Sequence, residues 1–409
     1  MYDILRRKNT GLKSGVVDFA QRLVRTPSPS LQEGEIARLV VEQMELIGYD
    51  QIVQDDSGNI AGIIFGRDAG PTVLLNCHMD SVSPREDDNW THSPYSGDIQ
   101  GGRLYGCGAS DCKGGLAAQI FAGALLKRSL LPLCGNLIVA ATVGEEEGAS
   151  IGIRGLIERT LPELELDASY AILGEPTELG LYYGHDGWVE LEIKVEGRND
   201  LTVDGAANAI FENFNSRIKR TSDRSRPEEF SAKTPLYESR GGLRRAIIEL
   251  NSRINDSQEP DTVIEQIKHE ALLSVQSAGT VAVDVEIRKE SQTMYTGTTT
   301  IVRKLTNAWS IDPFDNLMER SRQALISAGC NFRAGKWRLN RVGMATAGGV
   351  LTKDYDIRTI GYGPGNEEVI HGPNEYVEVE KIVEAVYGTA SIVHGLIGIP
   401  VFGWTSAAI

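Results

Sequence analysis

The stretch Thr72-Val73-Leu74-Leu75-Asn76-Cys77-His78-Met79-Asp80 decides the fold. Its apolar run follows Pro71 and ends in polar residues, the mark of a short strand buried on both faces. Sheets made of such strands are covered by helices on each side and gather their ligands at the carboxyl ends of the strands. His78 and Asp80 stand at that end. The pattern recurs twice: Asn136 to Thr142 runs into Gly144-Glu145-Glu146-Glu147-Gly148, and Tyr170 to Leu173 runs into Gly174-Glu175-Pro176-Thr177. Gly58 to Phe65 is a further short apolar strand.

Helices lie between these strands. Val16, Phe19 and Leu23, then Ile36, Leu39, Val40, Met44 and Ile47, fall at helical spacing, and Thr26-Pro27-Ser28-Pro29 divides them into two helices. Gly114 to Leu126, rich in Ala and Leu, is a third. The fold class is therefore α/β, with a central mixed sheet covered by helices.

After Gly184-His185-Asp186-Gly187 the texture changes. Trp188 to Glu196 alternates strictly, as a strand with one wet face does, and the following hundred residues read as charged and helical, with Arg217 to Glu229 as an exposed face or loop. Thr280 to Arg288 alternates again, and Asp315 to Ala328 is a helix that returns to the first texture. This predicts a catalytic domain of residues 1–187 and 300–409, interrupted by an α+β lid or dimerisation domain over 188–299. The apolar tail from Ile392 to Ile409 is broken by His394, Gly395, Gly398 and Pro400, so it reads as a packed terminal strand and not a bilayer span.

At 409 residues the chain exceeds the roughly 250–300 at which single cores stop growing, which also argues for two domains. Its 41 Lys and Arg against 56 Asp and Glu leave a net charge of −15. That balance argues against nucleic acid and anionic membranes as partners. Met1 to Lys8 runs straight into charge, so no secretory signal is legible and the cytoplasm is the expected location. Cys77, Cys107, Cys112, Cys134 and Cys330 are odd in number and form no C-x-x-C pair, which fits free thiols and excludes a cysteine zinc knot.

Two further segments carry acid or histidine: Gly106-Cys107-Gly108-Ala109-Ser110-Asp111-Cys112-Lys113-Gly114-Gly115 and Ile370-His371-Gly372-Pro373-Asn374-Glu375. Each has a plain alternative, since a His-x-Asp is usually a hydrogen-bonded pair, a Glu triplet a solvated face and a Gly-Glu-Pro a turn. Together, the five segments supply His, Asp, Glu, Glu and His, nitrogen and oxygen donors suited to zinc or a similar divalent ion. Asp80 is placed to hold the other ring nitrogen of His78. Cys107 and Cys112 lack a legible base, so no nucleophilic constellation competes.

In order and wording these segments resemble the dinuclear zinc metallopeptidases and deacylases, the family of acetylornithine deacetylase, succinyl-diaminopimelate desuccinylase, aminoacylase and glutamate carboxypeptidase. The resemblance spans almost the whole chain. It implies that His78 and Glu175 bind one metal, Glu146 and His371 the other, and Asp111 bridges both. It also implies that Asp80 orients His78 and that Glu145 is the general base. Two divalent ions, zinc first with cobalt or manganese as alternatives, would activate water and polarise an amide carbonyl. The implied substrate is a small N-acyl amino acid or short peptide, held by Arg288 and by Gly348 and Gly349 of the run Ala345-Thr346-Ala347-Gly348-Gly349. A homodimer through the lid is implied as well.

One departure from that pattern matters. Where the family shows Gly-Arg-Ser-Ala-His, with a histidine that stabilises the oxyanion, this chain reads Gly197-Arg198-Asn199-Asp200-Leu201, so Leu201 takes the histidine's place. Three readings follow: an amide hydrolase with a substitute oxyanion donor, metal-dependent chemistry on an unusual amide, or a metal-binding protein without turnover. Glu145, which a pure binder does not need, favours an enzyme. His185, in Gly184-His185-Asp186-Gly187 beside the expected hinge, is the candidate for the substitute donor, the alternative being a hinge histidine satisfied by Asp186 or solvent.

Overall fold

A computed structural model describes residues 1–85, 88–220, 230–276, 280–337 and 345–399. Its main sheet is built from β1 (Gln51–Gln54), β2 (Ile60–Ile64), β3 (Val73–His78), β4 (Leu137–Thr142), β5 (Tyr170–Leu173) and β6 (Leu181–Tyr182). A second, six-stranded sheet follows in the chain, with β7 (Gly187–Gly197), β8 (Phe230–Ala232), β9 (Leu243–Ile254) and β10 (Ala282–Ile287) joined by the short strands Leu236–Arg240 on β9 and Leu305–Thr306 on β7, and the main sheet is completed by β11 (Ala334–Gly335) and β12 (Arg358–Gly361). The main sheet runs β1-β2-β4-β3-β5-β12-β6-β11. β4, β3, β5 and β12 are parallel to one another, β1 and β2 pair antiparallel to their neighbours, and β6 pairs antiparallel with β12 and parallel with β11. The sheet is therefore mixed, and every residue of β2, β3 and β4 is buried.

Helices α1 (Tyr2–Thr10), α2 (Lys13–Arg25), α3 (Gly34–Ile47) and α4 (Gly114–Ser129) cover it, joined later by α7 (Asn316–Ala328) and α8 (Val379–Ile397). Helix α4 is buried from Gly114 to Leu126, against β3 on one side and α8 on the other, which explains why its apolar residues show no single stripe. Asp315 caps α7 by accepting from the Leu317 amide at 2.7 Å.

Two sequence expectations fail. The tail is helical to Ile397 and not a strand: Ile392, Val393, Leu396 and Ile397 repeat at helical spacing and all are buried. Gly395 does not break the element, because a Cβ there would lie 2.8 Å from the Ala324 Cβ, so it is the point where α8 meets α7. Residues 400–409 lie outside the described residues. The hundred residues after β7 are also less helical than their charge predicts. Only α5 (Asp200–Arg220) and α6 (Pro260–Ser274) are long helices there, and β9 alternates buried and less buried residues over most of its length. Its inward residues Ala246, Ile248, Leu250 and Ile254 are separated by Glu249, Asn251 and Arg253, a strand pattern hidden by high charge. The stretch 221–229, read as a loop, lies outside the described residues.

A separate hydrophobic core forms here, in which Val189, Leu191 and Ile193 of β7 meet Val203, Ile210 and Phe214 of α5 and Val263 and Ile267 of α6. No helix among the described residues is long and apolar enough to cross a membrane.

Candidate metal centre

The parallel register of the main sheet sets the site. His78 at the end of β3 is level with Thr142 at the end of β4, and Asn76 is level with Leu173 at the end of β5. The next residues of each strand therefore emerge at one edge, and they include His78, the Glu145-Glu146 pair and Glu175. Asp111 arrives from the turn before α4 and His371 from the loop after β12.

Asp111 lies at the centre. Its Oδ1 is 3.2 Å from His78 Nε2 and its Oδ2 is 3.1 Å from His371 Nε2. On one side, Glu175 Oε2 stands 4.0 Å from His78 Nε2. On the other, Glu146 Oε1 stands 2.9 Å from His371 Nε2. The donor atoms of His78, Asp111, Cys112 and Glu175 all lie within 4.8 Å of one another, as do those of Asp111, Glu146 and His371. These are two adjoining pockets of metal-type donors sharing one carboxylate.

The electrostatics call for cations. Burial drives the Glu145 and Glu175 carboxyls well above their ordinary range, with His78 opposing and neighbouring carboxylates adding to the rise. Asp111 goes the other way: burial would raise it, but hydrogen bonds to His371 and His78 and their charge hold it low. Four carboxylates facing two imidazoles in a buried cleft are costly unless positive charge is brought in, and the hard oxygen and nitrogen donors match a divalent ion.

Surrounding bonds fix these donors. His78 Nδ1 lies 2.9 Å from the Asp80 main-chain carbonyl and 3.5 Å from its Oδ1, so the carbonyl makes the closer contact. The Asp80 carboxylate instead accepts the Glu145 and Glu146 amides, at 3.1 and 3.0 Å, and the Ser30 hydroxyl at 2.7 Å. It thus ties the histidine strand to the carboxylate loop. Two buried glutamates to which the sequence assigns no role hold the neighbouring loops. Glu375 accepts the amides of Gly108, Ser110 and Asp111 at 2.8–3.0 Å, and Glu33 accepts that of Gly144 at 2.9 Å. Glu375 lies four residues after His371, and that proximity was the only signal available.

The remaining sequence expectations separate. Arg288 does not line the cleft: its guanidinium is committed to Glu190 at 2.6 Å, with Glu290 and Glu249 nearby. Gly348 and Gly349 do not line it either. A Cβ on the first would lie 2.2 Å from Trp309 Cε2 and on the second 2.2 Å from the Asn307 carbonyl, so packing explains them. Thr346, two residues earlier, does reach the cleft, with Trp188, Thr306 and Trp337. Leu201 stands 86% exposed at the start of α5. His185 does not line the cleft as it stands: it is 2% exposed and lies edge-on to Trp337, which does, their ring centroids 5.5 Å apart. Neither His185 nitrogen has a hydrogen-bond partner among the described residues, nor does Trp337 Nε1. Asp186, the partner an ordinary hinge histidine would use, is paired with Arg253.

The chain belongs to the Peptidase family M20/M25/M40, whose pattern matches residues 74–394. It is a metal-dependent hydrolase of amide bonds, in a family that includes dinuclear metal-binding peptidases. It is 26% identical over 396 residues to the uncharacterized protein YgeY of Escherichia coli K12, covering 91% of this chain and 92% of that one. Succinyl-diaminopimelate desuccinylase of Methylorubrum extorquens is 31% identical over 191 residues, 44% of this chain and 49% of that enzyme. The fold is also that of the di-peptidase Dug1p from Saccharomyces cerevisiae, with a TM-score of 0.72 and 14% identity over 97% of this chain and 98% of that one.

Proposed function

We propose that this chain hydrolyses the amide bond of a small N-acyl amino acid or short peptide at a dinuclear site. The observation that carries the reading is Asp111, whose two oxygens face His78 and His371 separately, as a bridging carboxylate must. His78 and Glu175 hold one ion, Glu146 and His371 the other, and zinc suits these donors best, with cobalt or manganese as substitutes. When bound, the ions supply positive charge that activates water and polarises the substrate carbonyl.

The chain's own groups supply the rest. Glu145 takes a proton from the attacking water and returns it to the departing nitrogen. Asp80 positions rather than reacts, through the amides of Glu145 and Glu146. His185 is the oxyanion-side donor that replaces the group missing at Leu201. Burial, with Arg253 adding, pushes its pKa down to about 3 against the opposing pull of the Asp186 main chain and Asp111, so the ring is neutral, and neither nitrogen meets a partner in full hydrogen-bond geometry. Buried donors left unpaired are rare, and a substrate oxygen is a partner that would satisfy one. Residues 188–299 act as the lid, contributing Trp188 to the cleft wall. The exposed Leu236, Leu243, Leu272 and Leu273 of this region offer apolar surface for a homodimer, and the cytoplasm suits the free thiols.

The test is metal analysis of the purified chain followed by a screen of N-acyl amino acids and dipeptides. Two ions per chain and turnover of one class support the reading. Absence of bound metal overturns it.

A further inference from the structure

The two donor groups around Asp111 differ in one respect. The group containing Glu146 and His371 offers only oxygen and nitrogen, whereas the group containing His78 and Glu175 also contains the Cys112 sulfur, within 4.8 Å of each of its three companions. All four are buried, and Cys112 is fully so. Cys112 belongs to the main hydrophobic core, and its polar contacts are the His78 carbonyl at 3.5 Å, the His78 side chain and the Cys77 thiol.

We infer that Cys112 is a fourth donor to the ion held by His78, Asp111 and Glu175, making this half of the centre selective for a thiophilic divalent cation while the Glu146–His371 half remains an oxygen and nitrogen site. The inference rests on the dinuclear reading above and adds to it an asymmetry between the two positions. On coordination the Cys112 S–H bond breaks, its proton leaves to solvent and the sulfur lone pair goes to the metal. The Cys77 thiol, in hydrogen-bond contact behind it, is placed to support the sulfur as an outer partner. Thiolate favours zinc over manganese or magnesium, so the two positions part company in metal preference.

Two spectroscopic readouts test this without relying on turnover. X-ray absorption of the zinc-loaded chain should show a sulfur shell at about 2.3 Å beside the nitrogen and oxygen shell. The cobalt-loaded chain should show a sulfur-to-cobalt charge-transfer band in the near ultraviolet. Cys112→Ser should lose both signals while retaining the second cobalt, and Cys77→Ser should keep both. If Cys112→Ser does not fold, the wild-type sulfur shell and the Cys77→Ser comparison still decide. A wild-type chain that binds two ions with only nitrogen and oxygen neighbours overturns the inference and leaves the dinuclear reading standing. Signals that vanish in Cys77→Ser but persist in Cys112→Ser also overturn it. A chain that binds no cobalt overturns both.

Discussion

Lys304 Nζ donates to the main-chain carbonyl of Glu147 across 2.5 Å. The side chain comes from the segment between the second core and α7, is 3% exposed, and is steadied by Glu290 at 2.7 Å. Its contact thus reaches from outside the main sheet to the loop carrying Glu145 and Glu146. Lys304→Met keeps the stem but removes the donor, leaving the carbonyl without it. We predict a loss of roughly 1.5–3 kcal/mol in stability, the range for a hydrogen bond to a charged group. We also predict that kcat falls about tenfold, equivalent to about 1.4 kcal/mol, with KM little changed. Lys304→Arg should recover part of kcat. Thermal unfolding together with steady-state kinetics reads both effects, and a change confined to stability would exclude a positioning role.

Asp111 stands between both histidines, so in the dinuclear reading both ions would depend on it. Asp111→Ala should reduce bound metal from two per chain to none, whereas Glu175→Ala should spare the Glu146–His371 ion. Elemental analysis after dialysis against a weak chelator distinguishes the two. Full metal content in Asp111→Ala would remove it from the centre.

Glu145 and Glu146 are neighbours with different surroundings. Glu146 touches His371 at 2.9 Å, while no hydrogen bond joins the Glu145 carboxylate to a histidine among the described residues. Glu145→Gln should keep its metals and lose roughly 10²–10⁴-fold in turnover, the usual worth of a general base. Glu146→Gln should lose affinity for one ion. Equal metal loss in the two variants would mean that the roles are divided wrongly.

How much of this was legible in the sequence follows from the kind of force involved. β3, β4 and β5 are continuous apolar runs, and polar residues at their ends mark the site without any knowledge of pairing. His78, the Glu145-Glu146 pair and Glu175 came into view in this way, while Asp111 and His371 came into view through the wording of the loops that carry them. Glu375 and Glu33 did not, because each acts by accepting backbone amides from segments more than a hundred residues away, which no local pattern records. Gly348 misled for the opposite reason. A Gly-Gly pair looks like a ligand loop, but the need for glycine was set by the Trp309 ring, which only the packed structure reveals. Cys112 was discounted as a nucleophile, and its nearness to Glu175 depends on the register of β3 and β5.

His394 offers a test away from the centre. It is buried on α8, its Nε2 has no partner among the described residues, and burial, with the N-terminal charge adding, pushes its pKa down to about 4. An unfolded histidine titrates near 6.5, so as pH falls the unfolded chain takes up the proton first. This contribution to stability is intact above about pH 6.5 and is lost as pH falls toward about 4, by roughly 3 kcal/mol at most. His394→Gln should flatten that acid limb in a series of thermal melts. An unchanged slope would show that His394 is hydrated in solution.

His185 lies buried beside the cleft-lining Trp337. Two buried ring nitrogens without partners are a cost to the folded chain, normally of about 1–3 kcal/mol per unsatisfied group. If His185 were only packing, relief of that cost should make His185→Phe more stable and leave catalysis intact, since the ring already lies edge-on to Trp337. If His185 supplies the donor missing at Leu201, the same substitution should lower kcat by about 10²–10³, the usual effect of removing one oxyanion donor. Metal content should stay unchanged in either case, because His185 belongs to neither donor group. The decisive pair of measurements is therefore stability and kcat on one variant: a gain in the first with a loss in the second assigns the orphaned imidazole to the substrate. A gain in stability with kcat intact assigns it to the core, and the oxyanion would then be held by the metals alone.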